Sequence, residues 1–360
     1  MGLRRDKALA AVNITRHRYY YKPTGNRPGK KPSETTLKRH NDETIEVNNQ
    51  QVIEQVKTTQ ADCDTDYGYR KMCYALMIAG FYINHKKLYR LMKQAHLLKP
   101  RHQRADKTYA KYRIVTPAGP LQVLEADIKY VWITEASRHA YILTIIDTFT
   151  RHVLHWQVGF TMKAIQIKQA WQTVIVEHLQ GADQLRKRID IEIRNDNGPQ
   201  FGAKIIREFF EENYLNQVFT HPYTPQENGH VESFHAILSN ALCKQTFWNL
   251  EQLETRLTLF YEKYNNTRLH GSIANLPPRL FWELWQKGKI TRKEMDNKKV
   301  KFKLNIPYQQ LSGNESLKEV PCLNFGGLNA QQNLPHQTLK EAIGPETLLP
   351  ASEADKQPSV

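Results

Sequence analysis

Three carboxylates carry the chemistry this chain could do: Asp127 in "LQVLEADIKYVWI", Asp196 in "RIDIEIRND" and Glu232 in "PYTPQENGHVESFHAIL". Carboxylate oxygens are hard ligands that suit Mg²⁺ or Mn²⁺ and leave positions open for water and a substrate phosphate. Projected from a central strand, a neighbouring strand end and a covering helix, three of them could hold two divalent ions about 3.5–4 Å apart. That is the arrangement used for in-line displacement at phosphorus. Each acid alone also has a plainer reading. Asp127 shares a strand face with Val123, Val131 and Ile133, where an acid must be paired, hydrogen-bonded or metal-bound unless that end of the strand is exposed. Glu125 lies on the same face. Asp196 stands where "NDNGP" has to turn, an ordinary place for Asp, although active-site groups also gather past the carboxyl ends of sheet strands. Glu232 falls off the apolar stripe Val231, Phe234, Ile237, Leu238, Ala241 and Leu242, with Asn228 one turn before it, and by itself would be solvated. Asp147, after "ILTII", is a rival to any of the three, or a cap for the next turn.

The elements that must position these acids are legible as changes of period. "LQVLEADIKYVWI", "AYILTIIDTFT" and "RHVLHWQVGF" are β-branched and aromatic runs separated by polar turns, and predict a three-stranded antiparallel meander. A helix over "KAIQIKQAWQTVIVEHLQG", a strand at "RIDIEIRND", a helix over "AKIIREFFEENY", a short strand at "NQVFT" and the helix of Glu232 follow. Antiparallel strands first, then strands alternating with helices, imply a mixed α/β sheet covered by helices. "LEQLETRLTLFYEKYNN" predicts a further amphipathic helix and "LPPRLFWELW" a short aromatic one at the domain edge.

The 360 residues exceed the usual size of one domain. Of the net +15, residues 1–118 hold +14, with 24 Lys and Arg against 10 Asp and Glu. The basic excess is N-terminal, and favours a polyanion such as nucleic acid unless it is simply a solvated surface. "YYYKPTGNRPGKKPSETT" and "KPRHQRADKTYAKYRIVTPAGP" read as basic linkers. Between them, "YGYRKMCYALMIAGFYINHKKLYRLMKQAHLL" predicts two helices around Gly80 and an Asn84 N-cap, with helix-turn-helix spacing. Leu88, Leu91, Met92 and Ala95 form the apolar stripe of the second helix, and Lys86, Lys87, Arg90 and Lys93 its basic side. Such a face could enter a DNA major groove, or could merely be solvated. The expected organisation is a basic segment at 1–60, a helix-turn-helix module at 61–105, a catalytic core at 119–286 and a flexible, Gln- and Asn-rich tail at 302–360.

Four cysteines form no C-x-x-C pair, and free thiols in a reducing cytoplasm are the simplest reading. No apolar run has membrane-spanning length, and the first residues lack a signal-peptide core, so a soluble intracellular protein is expected.

Sixty-eight residues separate Asp127 from Asp196 and thirty-five separate Asp196 from Glu232. With "EADIKYVWI", "IRNDNGPQF", "TPQENGHVESFH", "IIDTFTRHVLHWQVG" and "YNNTRLHGSIANLPPRLF", this resembles the DDE transposases of two-frame bacterial insertion sequences, over roughly residues 60–285. The resemblance implies a ribonuclease H-like core: a mixed five-stranded sheet flanked by helices, behind an all-α helix-turn-helix module. It implies Asp127, Asp196 and Glu232 as catalytic and metal-binding residues with two Mg²⁺ (or Mn²⁺) ions, and Gln226, Asn228 and Arg268 as further DNA contacts. Partners implied are double-stranded DNA (element ends and target), a homo-oligomer on that DNA, and an upstream-frame protein or its frameshift fusion; the location implied is cytoplasmic and nucleoid-associated. Asp147 matches a recurrent but non-catalytic position. Ser239 stands where many relatives have Lys or Arg, and Lys129 where Thr is frequent. Cys63, Cys73, His85 and His96 lack the spacing of a His-His-Cys-Cys zinc module. Two rivals remain: a DNA-binding protein with an inactive core, and a nuclease of the same fold that cuts without joining.

Overall fold

The structure, a computed structural model, describes the chain apart from residues 1–4, 23–31, 41–42, 66, 101–115, 181–189, 220–228, 244, 296–299 and 313–360. Met1–Val320 is one compact unit; Pro321–Val360 is another, outside the described residues. The greater part of both basic linkers and the expected tail from 313 onward likewise lie outside them.

The central sheet grows from the meander. Strands β4 (Val123–Ile133), β5 (Arg138–Asp147) and β6 (Val153–Gly159) pair antiparallel, and β7 (Ile191–Asn195) and β8 (Leu215–Phe219) add in parallel, giving the order β6-β5-β4-β7-β8. This mixed five-stranded sheet is a ribonuclease H-like fold. Alternation along β4 decides its faces. Leu124, Ala126 and Ile128 join a cluster with α6 (Ala164–Val174), a π-helical turn Ile175–Gln180, and α7 (Lys204–Glu212). Ile133, with Ala140, Ile142 and Ile146 of β5, packs on the other face against α8 (Gly229–Leu242) and α9 (Leu250–Asn266).

The N-terminal module is not all helical. Around α3 (Asn49–Ala61), α4 (Tyr69–Ile78) and α5 (His85–Gln94) lies a sheet of β1 (Thr35–His40), β2 (Glu43–Asn48) and β3 (Phe81–Tyr82), in the order β2-β1-β3. Val47, Val52 and Val56 enter its apolar cluster, ahead of residue 61 where the module was expected to begin. Two features hid this sheet: β3 has only two residues, and β1 and β2 are polar, with a single buried residue each. Gly80 turns α4 into β3 at φ +92°, and a Cβ there would stand 2.8 Å from the Arg39 carbonyl oxygen, so both backbone sense and space require glycine. Asn84 caps α5, its side chain accepting from the Lys87 N–H at 2.9 Å.

At the other end, α10 (Pro278–Gln286) packs its aromatic face on a hairpin of β9 (Ile290–Glu294) and β10 (Val300–Leu304). Residues 302–312 are therefore strand and turn, not the start of a flexible tail; Phe302 stacks edge-on against Phe149 and Phe281. No described helix is long and apolar enough to cross a membrane.

Module and core are joined by charge. Arg256 of α9 donates to both carboxylate oxygens of Asp64 at 2.8 and 3.1 Å, and Lys263 Nζ donates to Asp62 at 2.6 Å. The Arg256 and Asp64 side chains are only 7% and 4% exposed, so neither charge has water as a substitute partner. Arg256→Ala should therefore cost about 3–5 kcal/mol by stranding Asp64. A double variant, Arg256→Met with Asp64→Leu, should lose much less. Urea unfolding of the full chain checks both.

Candidate active site

Register brings the first two acids together. The parallel ladder between β4 and β7 runs from Val123 and Glu192 to Ala126 and Asn195 and stops there. Asp127 and Asp196 are the next residue on each side, at the carboxyl edge where the two chains part. Asp127 Oδ1 accepts from the Ile128 N–H at 2.7 Å, and Asp196 Oδ1 accepts from the Gly198 N–H at 3.0 Å, which folds the turn after β7. Asp196 keeps one side to solvent; desolvation on its inner side raises its pKa, the Gly198 hydrogen bond opposes this, and the charge of Asp127 adds to it.

Glu232 reaches the same place from above. It sits in the first turn of α8, on the exposed face. Partial burial raises its pKa first, the Asp127 charge raises it further, and His235 lowers it. Asp127 is thus the common neighbour of Asp196 and Glu232. His235, one turn along α8, places Nδ1 3.2 Å from Asp127 Oδ2, and its buried Nε2 has no hydrogen-bond partner among the described residues. Reading the sequence did not single out His235; its spacing of three from Glu232 on a helix was the available signal.

Glu125 fastens α8 to β4. Its side chain is fully buried, and Oε2 accepts from the backbone N–H groups of His230 and Val231 at 3.0 and 2.7 Å. These are orphan donors of the helix start, so Glu125 serves from a distant strand as the cap of α8. Burial pushes its carboxyl up to about 7, against the two N–H bonds and the charges of Arg151 and Arg194.

Asp147 is structural. Fully buried, it accepts from the N–H of Leu121, Phe149 and Thr150 and from the Thr150 hydroxyl, closing the turn after β5. The expected DNA contacts divide. Lys86 and Lys93 are exposed on α5. Lys87 turns inward, donating from Nζ to the Thr35 carbonyl, and Arg90 reaches the Ser33 carbonyl at 3.4 Å, because β1 packs beside α5 where open solvent was expected. Arg268 also turns inward: Nη1 donates to the Asp64 carbonyl, so it ties the module to the core. Gln226 and Asn228 lie outside the described residues.

Among the described residues, the group of metal-ligand types whose ligand atoms all lie within 4.8 Å of one another is Asp62, Cys63 and Asp64. Its carboxylates are already neutralised by Lys263 and Arg256, which makes it a latch. Asp127, Asp196 and Glu232 stand farther apart than that and more openly; desolvation and then the Asp127 charge raise the pKa of both Asp196 and Glu232, with no Lys or Arg among the causes of those two shifts. An all-oxygen set of this kind, short of positive charge, fits divalent cations. A cavity of about 700 Å³ along β6, α9 and α10 includes none of the three acids.

A ribonuclease H-like sheet with acids at the break between its first and fourth strands defines a class, the integrase-type core. An integrase core domain family matches residues 117–225, a second integrase core domain family matches 213–278, and an HTH-like domain family matches 47–105. Curated proteins of insertion elements are among those it is similar to. It is 24% identical over 217 residues to the insertion element IS476 uncharacterized 39.2 kDa protein of Xanthomonas euvesicatoria, covering 60% of each chain. The match spans less than two thirds of that relative's length. To the putative transposase InsK for insertion sequence element IS150 of Escherichia coli it is 24% identical over 228 residues, 59% of this chain and 76% of that one. Among solved structures, the simian T-cell lymphotropic virus intasome is similar at 15% identity and TM-score 0.38, over 63% of this chain and 73% of that one. The Mos1 transposase catalytic domain is similar at 15% and 0.36, over 46% and 77%.

Glu125 gives the core a pH dependence. Its folded pKa lies above the usual carboxylate value, so its contribution is fully present at low pH and is lost as pH rises from about 4.5 through about 7. The loss should reach about 3 kcal/mol. Glu125→Gln should flatten that limb of the stability–pH curve, measured by chemical denaturation between those values.

Proposed function

We propose that this chain is a transposase that cleaves DNA at the ends of an insertion element and joins them to a target. Asp127, Asp196 and Glu232 would be its catalytic and metal-binding residues. What supports the reading is that Asp127 and Asp196 follow the last paired residues of β4 and β7, and that the Asp127 charge acts on both Asp196 and Glu232 of α8. The three carboxylates would hold divalent ions there. When bound, such ions supply a deprotonated attacking oxygen and neutralise charge on the leaving one.

The protein's own residues do the rest. Glu125 holds the start of α8 so that Glu232 faces Asp127, and His235 fixes the Asp127 carboxylate from the other side. Water attacks phosphorus at the element end, the phosphorus–3′-oxygen bond breaks, and a free 3′-hydroxyl remains. That hydroxyl then attacks a second phosphodiester in line, expelling its 3′-oxygen, with no covalent bond to the protein. Two Mg²⁺ or Mn²⁺ ions, double-stranded DNA ends and target, a homo-oligomer on DNA, an upstream-frame protein or fusion, and a nucleoid-associated location complete the reading. Lys86 and Lys93 are the exposed α5 cations available for DNA, and the proposed domains are the 61–105 reader, extended back to β1, and the 119–286 core.

Asp127→Asn, Asp196→Asn and Glu232→Gln should each lower strand cleavage and strand transfer by about 100-fold or more, with folding intact by circular dichroism. Activity in all three would sink the triad, and cleavage without joining in the parent chain would favour the nuclease. With +14 charges in residues 1–118, DNA affinity should fall at least about 100-fold between roughly 50 and 200 mM salt, measured by fluorescence anisotropy. A flat salt response would leave the basic third without a role in binding.

A further inference from the structure

The face of β4 opposite Asp127 changes character along its length. Ile128 and its cross-strand partner Leu143 are buried under the α6 and α7 side, but the next residues on that face, Tyr130 and Trp132, are 56% and 51% exposed. Their partners on β5 are Tyr141 and His139. The four rings form a ladder: Tyr130 meets Tyr141 edge-on at 5.1 Å, and His139 meets Trp132 at 5.1 Å and Tyr130 at 6.4 Å.

Two features keep the ladder open. Across β5, Tyr141 pairs with Gly159, which has no side chain to cover it. On the other side, β7 stops pairing with β4 at Ala126, so nothing from β7 flanks Tyr130. The same break exposes the acids, and Tyr130 feels the charges of both Asp127 and Asp196. The rings therefore border the cluster across one strand. Tyr130 and Trp132 thus stay half-exposed, while edge-on packing with Tyr141 and His139 holds their rings in place.

We propose that the Tyr130–Trp132–His139–Tyr141 ladder is a stacking site for unpaired nucleobases of the DNA strand whose phosphodiester is held at Asp127, Asp196 and Glu232. The choice of DNA as the polymer rests on the strand-transfer reading. A phosphodiester drawn from the end of a duplex into a notch between a strand edge and a helix leaves neighbouring bases without stacking partners. Aromatic faces replace those partners whatever the base, because every base has a π-face.

The test uses the full chain carrying Glu232→Gln, so that no cleavage intervenes. Its probes are a blunt duplex and the same duplex with three unpaired nucleotides at one end, one of them 2-aminopurine. Binding should be tighter for the unpaired end and should quench the 2-aminopurine emission. Tyr130→Ala with Trp132→Ala should abolish the quenching and weaken unpaired-end binding by about tenfold or more, leaving blunt-duplex binding unchanged. Tyr130→Phe with Trp132→Phe, which keeps the rings, should retain both signals and guards against a folding artefact. Equal affinity for the two DNAs in the parent, or an equal loss for both in the alanine variant, overturns the proposal. So does a change in sedimentation of the DNA-free protein on alanine substitution, which would make the ladder a contact between copies. Cleavage by the chain with Glu232 intact is scored separately: its absence alongside preserved stacking sinks the strand-transfer reading and leaves the ladder.

Discussion

The place where β4 and β7 stop pairing governs the rest of this molecule. A parallel ladder forces its two strands to the same level, so ending it at Ala126 and Asn195 delivers Asp127 and Asp196 side by side at a carboxyl edge. Continuing it by two residues would turn both acids into ladder members and close the edge. The same ending leaves the second half of β4 without a β7 neighbour, which sets Tyr130 and Trp132 in the open and gives α8 room to descend on the opposite face.

Charge buried at a few points converts that edge into a three-sided cluster. Glu125 would be costly in a strand between apolar layers, yet it meets two backbone N–H groups whose own helix offers them no acceptor. The pairing locks helix to strand more directly than apolar packing, which tolerates sliding. Asp147 performs a comparable task at the far end of β5, gathering three N–H groups and a hydroxyl into one turn. Arg256 with Asp64, and Lys263 with Asp62, then fasten the HTH-like module to α9. The acids of this protein thus divide by partner: Glu125, Asp147, Asp62 and Asp64, with donors at hand, build the frame, and Asp127, Asp196 and Glu232 make up the proposed site.

Much of the core was legible because its periods are strong. The meander, α6 to α9 and the strand before Asp196 follow alternation or helical stripes over runs of apolar residues, and burial enforces what those runs suggest. Legibility failed where few side chains carry the signal. Strands β1 and β2 are short and polar with one buried residue each, and β3 has two residues whose partners on β1 lie far back in the sequence. The strand Val300–Leu304 looked like the beginning of a flexible tail because only Leu304 is buried outright, with Phe302 half-buried against α10.

The sequence by itself determined which residues could do chemistry and which segments of the core would be strand or helix, since residue type and period are local properties. It also located the positive charge. Only the tertiary structure decided which candidates meet. Asp147 has the same chemistry as Asp127, and separating them required knowing that donors surround the one and carboxylates approach the other. Lys87 and Arg268 have the same charge as Lys86, yet the packing of β1 on α5, and of the Asp64 loop on α9, turns them inward. A side chain's type can be read along the chain; its partners depend on register, helix docking and buried charge, which exist only once distant segments have folded against each other.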